Sequence, residues 1–410
     1  MAAVDGAVKR TFGQEAWVLP YGSLVQGLHL AGSDLDLCME VPGGAGAGQV
    51  TAGGKHDNSG QVAALKRLMR SLPGSFRVIE TRFWKHMKVP IVILGYRSSS
   101  GEQVETDISV GVEFEGVQKG LTDRIVRRLL ARFPRAMHTA RLVKLWAKVE
   151  KLNKAYDGYL NALGWTLLVL FYFIERGQIA NDAMNEEEPN ENGPGGDGSL
   201  PPQLHPSSDF RSPEEELLEA PSCEEAADFF EWLADYVSSW PEDPPESAWG
   251  ISLVDGTMIE VPPPDKKYAD QCQFFIEDPA PRLVKGTSEN VARSLKVGPW
   301  QSTVEACREA VEALRAHPSA GDAWLARLLQ EAAAQEAAKA AEARLPATRA
   351  FAAAPAAQAQ KRPWPGQPRP PQGPPPNFGQ PPAKRPRTEM CKWFLQGECW
   401  SGDRCKMSHG

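Results

Sequence analysis

Asp34 and Asp36 stand two residues apart in an Asp-Leu-Asp motif that opens an alternating run, Leu35–Val41. Alternation of that kind predicts a strand, and residues two apart on a strand leave the same face. Two carboxylates on one face repel unless a cation lies between them. A third, Asp107, falls in Val104–Val110, the second half of a hairpin pattern. If its strand neighbours the first, three carboxylates gather at one place. That set suits two Mg²⁺ (or Mn²⁺) ions clamping the attacking and leaving oxygens of an in-line phosphoryl displacement. Upstream, the apolar Trp17–Leu19 ends at Gly22-Ser23. Gly22 lets the backbone approach a phosphate closely, and Ser23 offers a hydroxyl and an N–H to a triphosphate. The competing reading, a solvated Asp-x-Asp pair on a sheet face, explains neither the Gly-Ser turn nor the third strand-borne aspartate.

Two further sets of residues could do chemistry. Lys144 and Lys148 are four apart on a helical pattern whose apolar positions are Leu142, Leu145, Trp146 and Val149. That spacing puts both ammonium groups on one side, where they could meet phosphate or simply water. Near the C-terminus, Cys391, Cys399, Cys405 and His409 are separated by seven, five and three residues. Three thiolates and an imidazole at this spacing make a closed tetrahedral site for a structural Zn²⁺, a CCCH zinc finger whose folding the metal would drive. Trp393, Phe394 and Trp400 interleave there with Lys392, Arg404 and Lys406. Aromatics stack on unpaired bases and cations track phosphates, so Lys392, Trp393, Phe394 and Trp400 are candidate contacts to single-stranded RNA; the alternative is packing around the zinc.

The elements that must position these groups follow from periodicity. Residues from about Ala16 to Gly111 read as mixed strands and helices: strands at Trp17–Leu19, Leu35–Val41 and Phe76–Thr81, a helix at Gln61–Leu72, and a hairpin of Val89–Tyr96 and Gln103–Val110. Pro42–Gly60 is Gly-rich and reads as a flexible insertion. From Leu121 to Arg176 the pattern is helical, and Leu160–Ile174 is apolar enough for a buried helix but too short to span a bilayer. Asn181–Ser212 is acidic and Gly/Pro-rich, the composition of disorder. A helix returns at Cys223–Ser238, an extended piece follows at Trp249–Val254, and Phe274–Pro279, Asn290–Leu295 and Thr303–Leu314 form a compact unit. Ala320–Ala343 is helical by propensity, and Leu345–Thr388 reads as a Pro-rich basic linker.

The Gly-Ser turn, the Asp-x-Asp strand and the later strand-borne Asp resemble the DNA polymerase beta nucleotidyltransferase superfamily. Within it the chain is similar to the non-canonical poly(A) polymerases and terminal uridylyltransferases, from about Trp17 to Leu314. Val143–Lys148 is similar to the family's triphosphate-binding helix, and Phe275–Pro279 with Asn290–Arg293 to its PAP-associated domain. The resemblance implies an α+β fold: a polymerase beta-like mixed sheet with helices, a mainly helical PAP-associated domain and the small CCCH finger. The corresponding divisions are residues 1–120, 121–318 with the acidic insertion near 181–212, 319–388 and 389–410. It also implies Asp34, Asp36 and Asp107 as metal ligands. Gly22, Ser23, Thr122, Lys144, Lys148, Asn161 and Asp278 become nucleotide contacts. The chain departs from the pattern in three places. Asn161, Ala162 and Leu163 replace a Ser-Ser-Tyr whose Tyr stacks on the base, Thr122 and Asp123 replace an Asn-Thr pair, and Glu289 replaces the His found in many uridylyl-transferring relatives.

Composition bounds the rest. The 410 residues carry a net charge of −7, yet acid concentrates between Glu186 and Glu246 while Lys361–Thr388 holds none. Seven cysteines with one tight cluster suit a reducing compartment with a metal site rather than a disulfide framework. The opening residues, with Asp5, Lys9 and Arg10, lack the apolar segment of a secretory signal. The expectation is a monomer in cytoplasm or nucleus, with Lys384–Arg387 as a nuclear localisation signal or an extension of the RNA-binding surface, and with no membrane contact. The activity expected is template-independent addition of UMP or AMP, from UTP or ATP, to RNA 3′ ends. The rivals are an inactive RNA-binding adaptor and a transferase with a non-RNA acceptor.

Overall fold

The computed structural model describes residues 1–30, 32–42, 49–50, 56–83, 89–97, 103–114, 116–181, 183–184, 223–238, 248–261, 274–317 and 319–344. The chain divides into two compact units, Met1–Pro346 and Ala347–Gly410. All of the second unit lies outside the described residues, and with it the four zinc ligands, the aromatic and basic residues around them and Lys384–Arg387. Most of the acidic insertion lies outside them as well.

The first half is built on one mixed five-stranded sheet. Its strands are β1 (Trp17–Pro20), β2 (Leu35–Glu40), β5 (Phe76–Arg82), β6 (Ile91–Arg97) and β7 (Gln103–Val110), in the order β1-β2-β7-β6-β5. Two short strands, β3 (Gln49–Val50) and β4 (His56–Asp57), pair with each other inside the stretch expected to be a flexible insertion. Antiparallel pairing joins all sheet neighbours except β2 and β7, which run parallel. Period-2 alternation divides β2 and β7 cleanly. Leu37, Met39, Ile108 and Val110 point to one face and are fully buried against helices α1 (Ala2–Phe12) and α3 (Ser59–Ser71), through Val4, Ala7, Val8, Leu65 and Leu68. Each such aliphatic side chain contributes roughly 1.5–3 kcal/mol on burial. That core fixes the register, because a one-residue slip would turn the aspartates inward. Helix α1 has no counterpart in the sequence reading; its apolar residues Val4, Ala7 and Val8 recur at helical spacing but lie among Gly, Asp and Lys.

The second half is helical. After the short pair β8 (Glu113–Phe114) and β9 (Val117–Gln118) come α4 (Leu121–Arg132), α5 (Pro134–Val149), α6 (Ala162–Glu175) and α7 (Cys223–Ser238). A small sheet of β10 (Ala248–Ser252), β11 (Thr257–Val261) and β12 (Phe275–Ile276) follows, then α8 (Pro279–Lys285), α9 (Val297–Arg315) and α10 (Ala320–Arg344). Aromatic packing binds these helices: the Trp146 and Trp165 rings meet edge to face at 5.5 Å, and Trp146 lies 4.4 Å from Phe230. Residues 164–174 are all buried, so α6 is the buried helix its composition predicted. Leu28 and Leu30, from the loop before β2, enter this core and tie it to the sheet. Among the described residues no helix is long and apolar enough to cross a membrane.

Candidate active site

Parallel pairing of β2 and β7 sets Asp36 directly opposite Asp107. The third carboxylate, Asp34, stands one residue before β2, close enough for its charge to act on both. Burial, and then the charges of Asp107 and Asp34, push Asp36 up to about 7. Burial and the charge of Asp34 push Asp107 up to about 6, opposed by the nearby Arg82. Asp107 Oδ1 is buried without a hydrogen-bond partner. Hard oxygen donors, mutual repulsion and an orphaned carboxylate oxygen are what a divalent cation relieves, so these residues fit the metals inferred from the sequence. Among the described residues no three His, Cys, Asp or Glu side chains close on one point as they stand. Asp34 Oδ1 lies 3.4 Å from Lys339 Nζ, on α10.

The Gly-Ser turn sits against this pair for a steric reason. Gly22 has φ 73°, and a Cβ there would lie 2.3 Å from Asp36 Oδ2, so only glycine lets the turn reach the carboxylate. Its N–H is donated to Asp123 Oδ2 at 2.7 Å, while Gln26 Nε2 donates to Asp123 Oδ1 at 2.7 Å. Asp123 thus holds the turn and the short helix α2 (Ser23–Gln26) with both oxygens. Nothing local in the sequence gives it that task, since its partners are about a hundred positions away. Ser23 opens α2 next to the turn, half-buried.

The remaining sequence-predicted contacts are also engaged by the protein itself. Lys144 is buried, and its Nζ donates to the Leu28 carbonyl at 2.9 Å; burial lowers it to about 8 against the pull of Asp36. It therefore braces the loop after α2 from one turn below Lys148, instead of projecting beside it. Arg141 donates to the Gly27 carbonyl from the same helix, at 3.0 Å from one terminal nitrogen. Lys148 Nζ lies 2.7 Å from Glu336 Oε1 of α10. Thr122 donates its hydroxyl to Asp278 Oδ1 at 2.5 Å, so two residues assigned to the nucleotide are paired with each other. Asp278 also caps α8 by accepting from the Ala280 N–H. Asn161 accepts from the Gly164 N–H at 2.7 Å as the N-cap of α6, a structural task that accounts for it without a ligand. Leu163 packs partly buried against the helical core. Sequence reasoning set Asp123 beside Thr122 without its hold on the turn, and it missed Glu336 and Lys339, which lie in an Ala-rich helix with no motif around them.

Comparison with known proteins agrees with this geometry. Residues 2–114 match the family model described as the central palm domain of mitochondrial-like poly(A) RNA polymerase. By this match the first part of the chain is similar to that palm domain. Among individual relatives, the terminal uridylyltransferase cid1 of Schizosaccharomyces pombe is 26% identical over 162 residues. That match covers 39% of this chain and 35% of the relative, so the aligned part spans about a third of that protein. Terminal uridylyl transferase 4 from Trypanosoma brucei, solved with UTP and UMP, superposes with a TM-score of 0.51 at 19% identity, over 76% of this chain and 91% of the other. The Cid1 poly(U) polymerase bound to MgGTP gives 0.50 at 21% identity, over 79% and 91%. At these identities the structural likeness is one of fold.

Proposed function

We propose that this protein is a template-independent RNA 3′-terminal nucleotidyltransferase. The observation that carries the reading is the Asp36–Asp107 pair, opposed on parallel strands beneath a Gly-Ser turn in a polymerase-type palm. Asp34, Asp36 and Asp107 would hold two Mg²⁺ ions, which when bound supply charge neutralisation and a lowered pKa for the attacking hydroxyl. The RNA 3′-hydroxyl oxygen attacks the α-phosphorus of the nucleotide, the bond to the β-phosphate breaks, and pyrophosphate leaves. The hydroxyl proton leaves to water, and Asp107, whose Oδ1 has no protein partner, would help hold the metal beside that hydroxyl. Lys148 neutralises the triphosphate, while Lys144 and Arg141 keep the loop behind the Gly-Ser turn in place. Thr122 and Asp278, already joined, form the wall facing ribose and base.

UTP is the favoured substrate, supported by the terminal uridylyltransferases among the relatives. ATP is the second reading, because Glu289 stands where many uridylyl-transferring relatives carry a His, and a carboxylate there could accept from the adenine amino group. The CCCH segment would bind Zn²⁺ through Cys391, Cys399, Cys405 and His409 and hold single-stranded RNA near the site through the basic linker. Incubating purified full-length protein with a short RNA and each of the four NTPs separately tests the proposal. Extension with UTP, or with ATP, supports it and decides between them. Extension with none rejects it in favour of an RNA-binding adaptor.

A further inference from the structure

Helix α10 changes character along its length. Its first half buries Trp324, Leu325 and Leu328 in the helical core. From Ala333 to Arg344 it has no apolar side chain larger than Ala. What holds this second half is polar, and it is held to the groups the reaction needs. Gln335 Nε2 donates to the Val149 carbonyl at 3.0 Å, at the end of the lysine-bearing helix. Glu336 pairs with Lys148 at 2.7 Å, and its carboxylate lies over Gly32, where any Cβ would collide with it. Lys339 Nζ bridges Asp34 Oδ1 at 3.4 Å and Glu105 Oε2 at 3.2 Å. Glu336 and Lys339 are three apart, so one helix face presents both.

Each of these charges has the sign of the ligand it meets in place of. A carboxylate occupies the lysine assigned to the triphosphate, and an ammonium occupies a carboxylate assigned to metal. A triphosphate could not share Lys148 with Glu336 without like-charge repulsion, nor a divalent cation share Asp34 with Lys339. Partly exposed ion pairs of this kind are weak beside apolar burial, whereas Ala-rich sequence keeps its helical form when undocked. The second half can therefore leave while the buried first half stays. Resting on the nucleotidyltransferase reading of the site, we infer that residues 333–344 form an autoinhibitory segment that mimics Mg-nucleotide and must be displaced before it binds.

The test compares the full-length protein with the double variant Glu336→Ala/Lys339→Ala, titrated calorimetrically with Mg-UTP and Mg-ATP without RNA. A segment docked about nine-tenths of the time weakens apparent affinity roughly tenfold, so the double variant should bind about tenfold more tightly. Glu331→Ala, which removes only the Arg327 pair within the same helix, should bind like the parent. Hydrogen exchange of amides 333–344 in the parent should accelerate when nucleotide is added, with 320–332 unchanged. Equal or weaker binding by the double variant, or unaltered exchange, overturns the inference while leaving nucleotide binding intact. Binding by neither protein overturns the nucleotide reading and the competition together.

Discussion

The sheet side and the helical side of the cleft treat their polar groups in opposite ways. On the sheet, Asp36 and Asp107 are forced together by register, left short of partners and pushed up to about 7 and about 6. On the helical side, Lys144, Lys148, Thr122, Asp278 and Asn161 are each paired with another protein group. The difference separates two kinds of preparation. The carboxylates are held in a costly arrangement that a proton or a cation relieves. The helical groups are satisfied in the nucleotide-free protein, so a nucleotide that meets Lys148, Thr122 or Asp278 must exchange into the contact already there.

Removing charge from the sheet side should have the largest effect. Asp36→Asn is expected to cost activity on the order of 10³-fold, the scale seen when a group stabilising transition-state charge is deleted. The same change should raise metal-free stability by about 1 kcal/mol, the usual gain when a strained functional residue is relieved. Chemical denaturation in EDTA measures this, and a loss of stability would show that the pair carries no stored repulsion. Gly22→Ala comes next. Its Cβ would meet Asp36 Oδ2 at a positive φ, so a loss of about 1–3 kcal/mol of stability and a fall in kcat are expected. Wild-type values would mean that the turn does not press on the carboxylate.

A pH experiment sharpens the same comparison. Carboxylates raised in the fold hold protons that the unfolded chain has already released between about pH 4 and about pH 7. Metal-free stability contributed by this pair therefore falls as pH rises through that window, and Mg²⁺ should raise Tm more at pH 8 than at pH 5. An Mg²⁺ effect independent of pH would contradict the assignment. The smallest effect belongs to the helical side: Asn161→Ala should lose a helix cap, about 1 kcal/mol of stability, with KM for nucleotide unchanged. A raised KM at unaltered stability would return Asn161 to the nucleotide.

What was legible in the sequence follows the same division. Alternation in Leu35–Val41 and Val104–Val110 is local, and it was enough to place Asp36 and Asp107 on one face. The Gly-Ser turn was equally visible, though the tie of the Gly22 N–H to Asp123 was not. The spacing of Lys144 and Lys148 located their helix but not their partners. Which lysine is buried depends on Leu28, and which is paired depends on Glu336, nearly two hundred positions away. Helix propensity marked Ala320–Ala343 without revealing that its far end reaches the carboxylates. Long-range electrostatic pairing has no period, so no reading of local pattern could find it.

The central claim is that the carboxylate pair performs nucleotidyl transfer and is not merely structural. Asp107→Ala measures it most directly, by incorporation of labelled nucleotide into a short RNA beside a binding assay with the same RNA. The account predicts that incorporation disappears while RNA binding and the folded state persist. Incorporation surviving at wild-type rate in Asp107→Ala would contradict it.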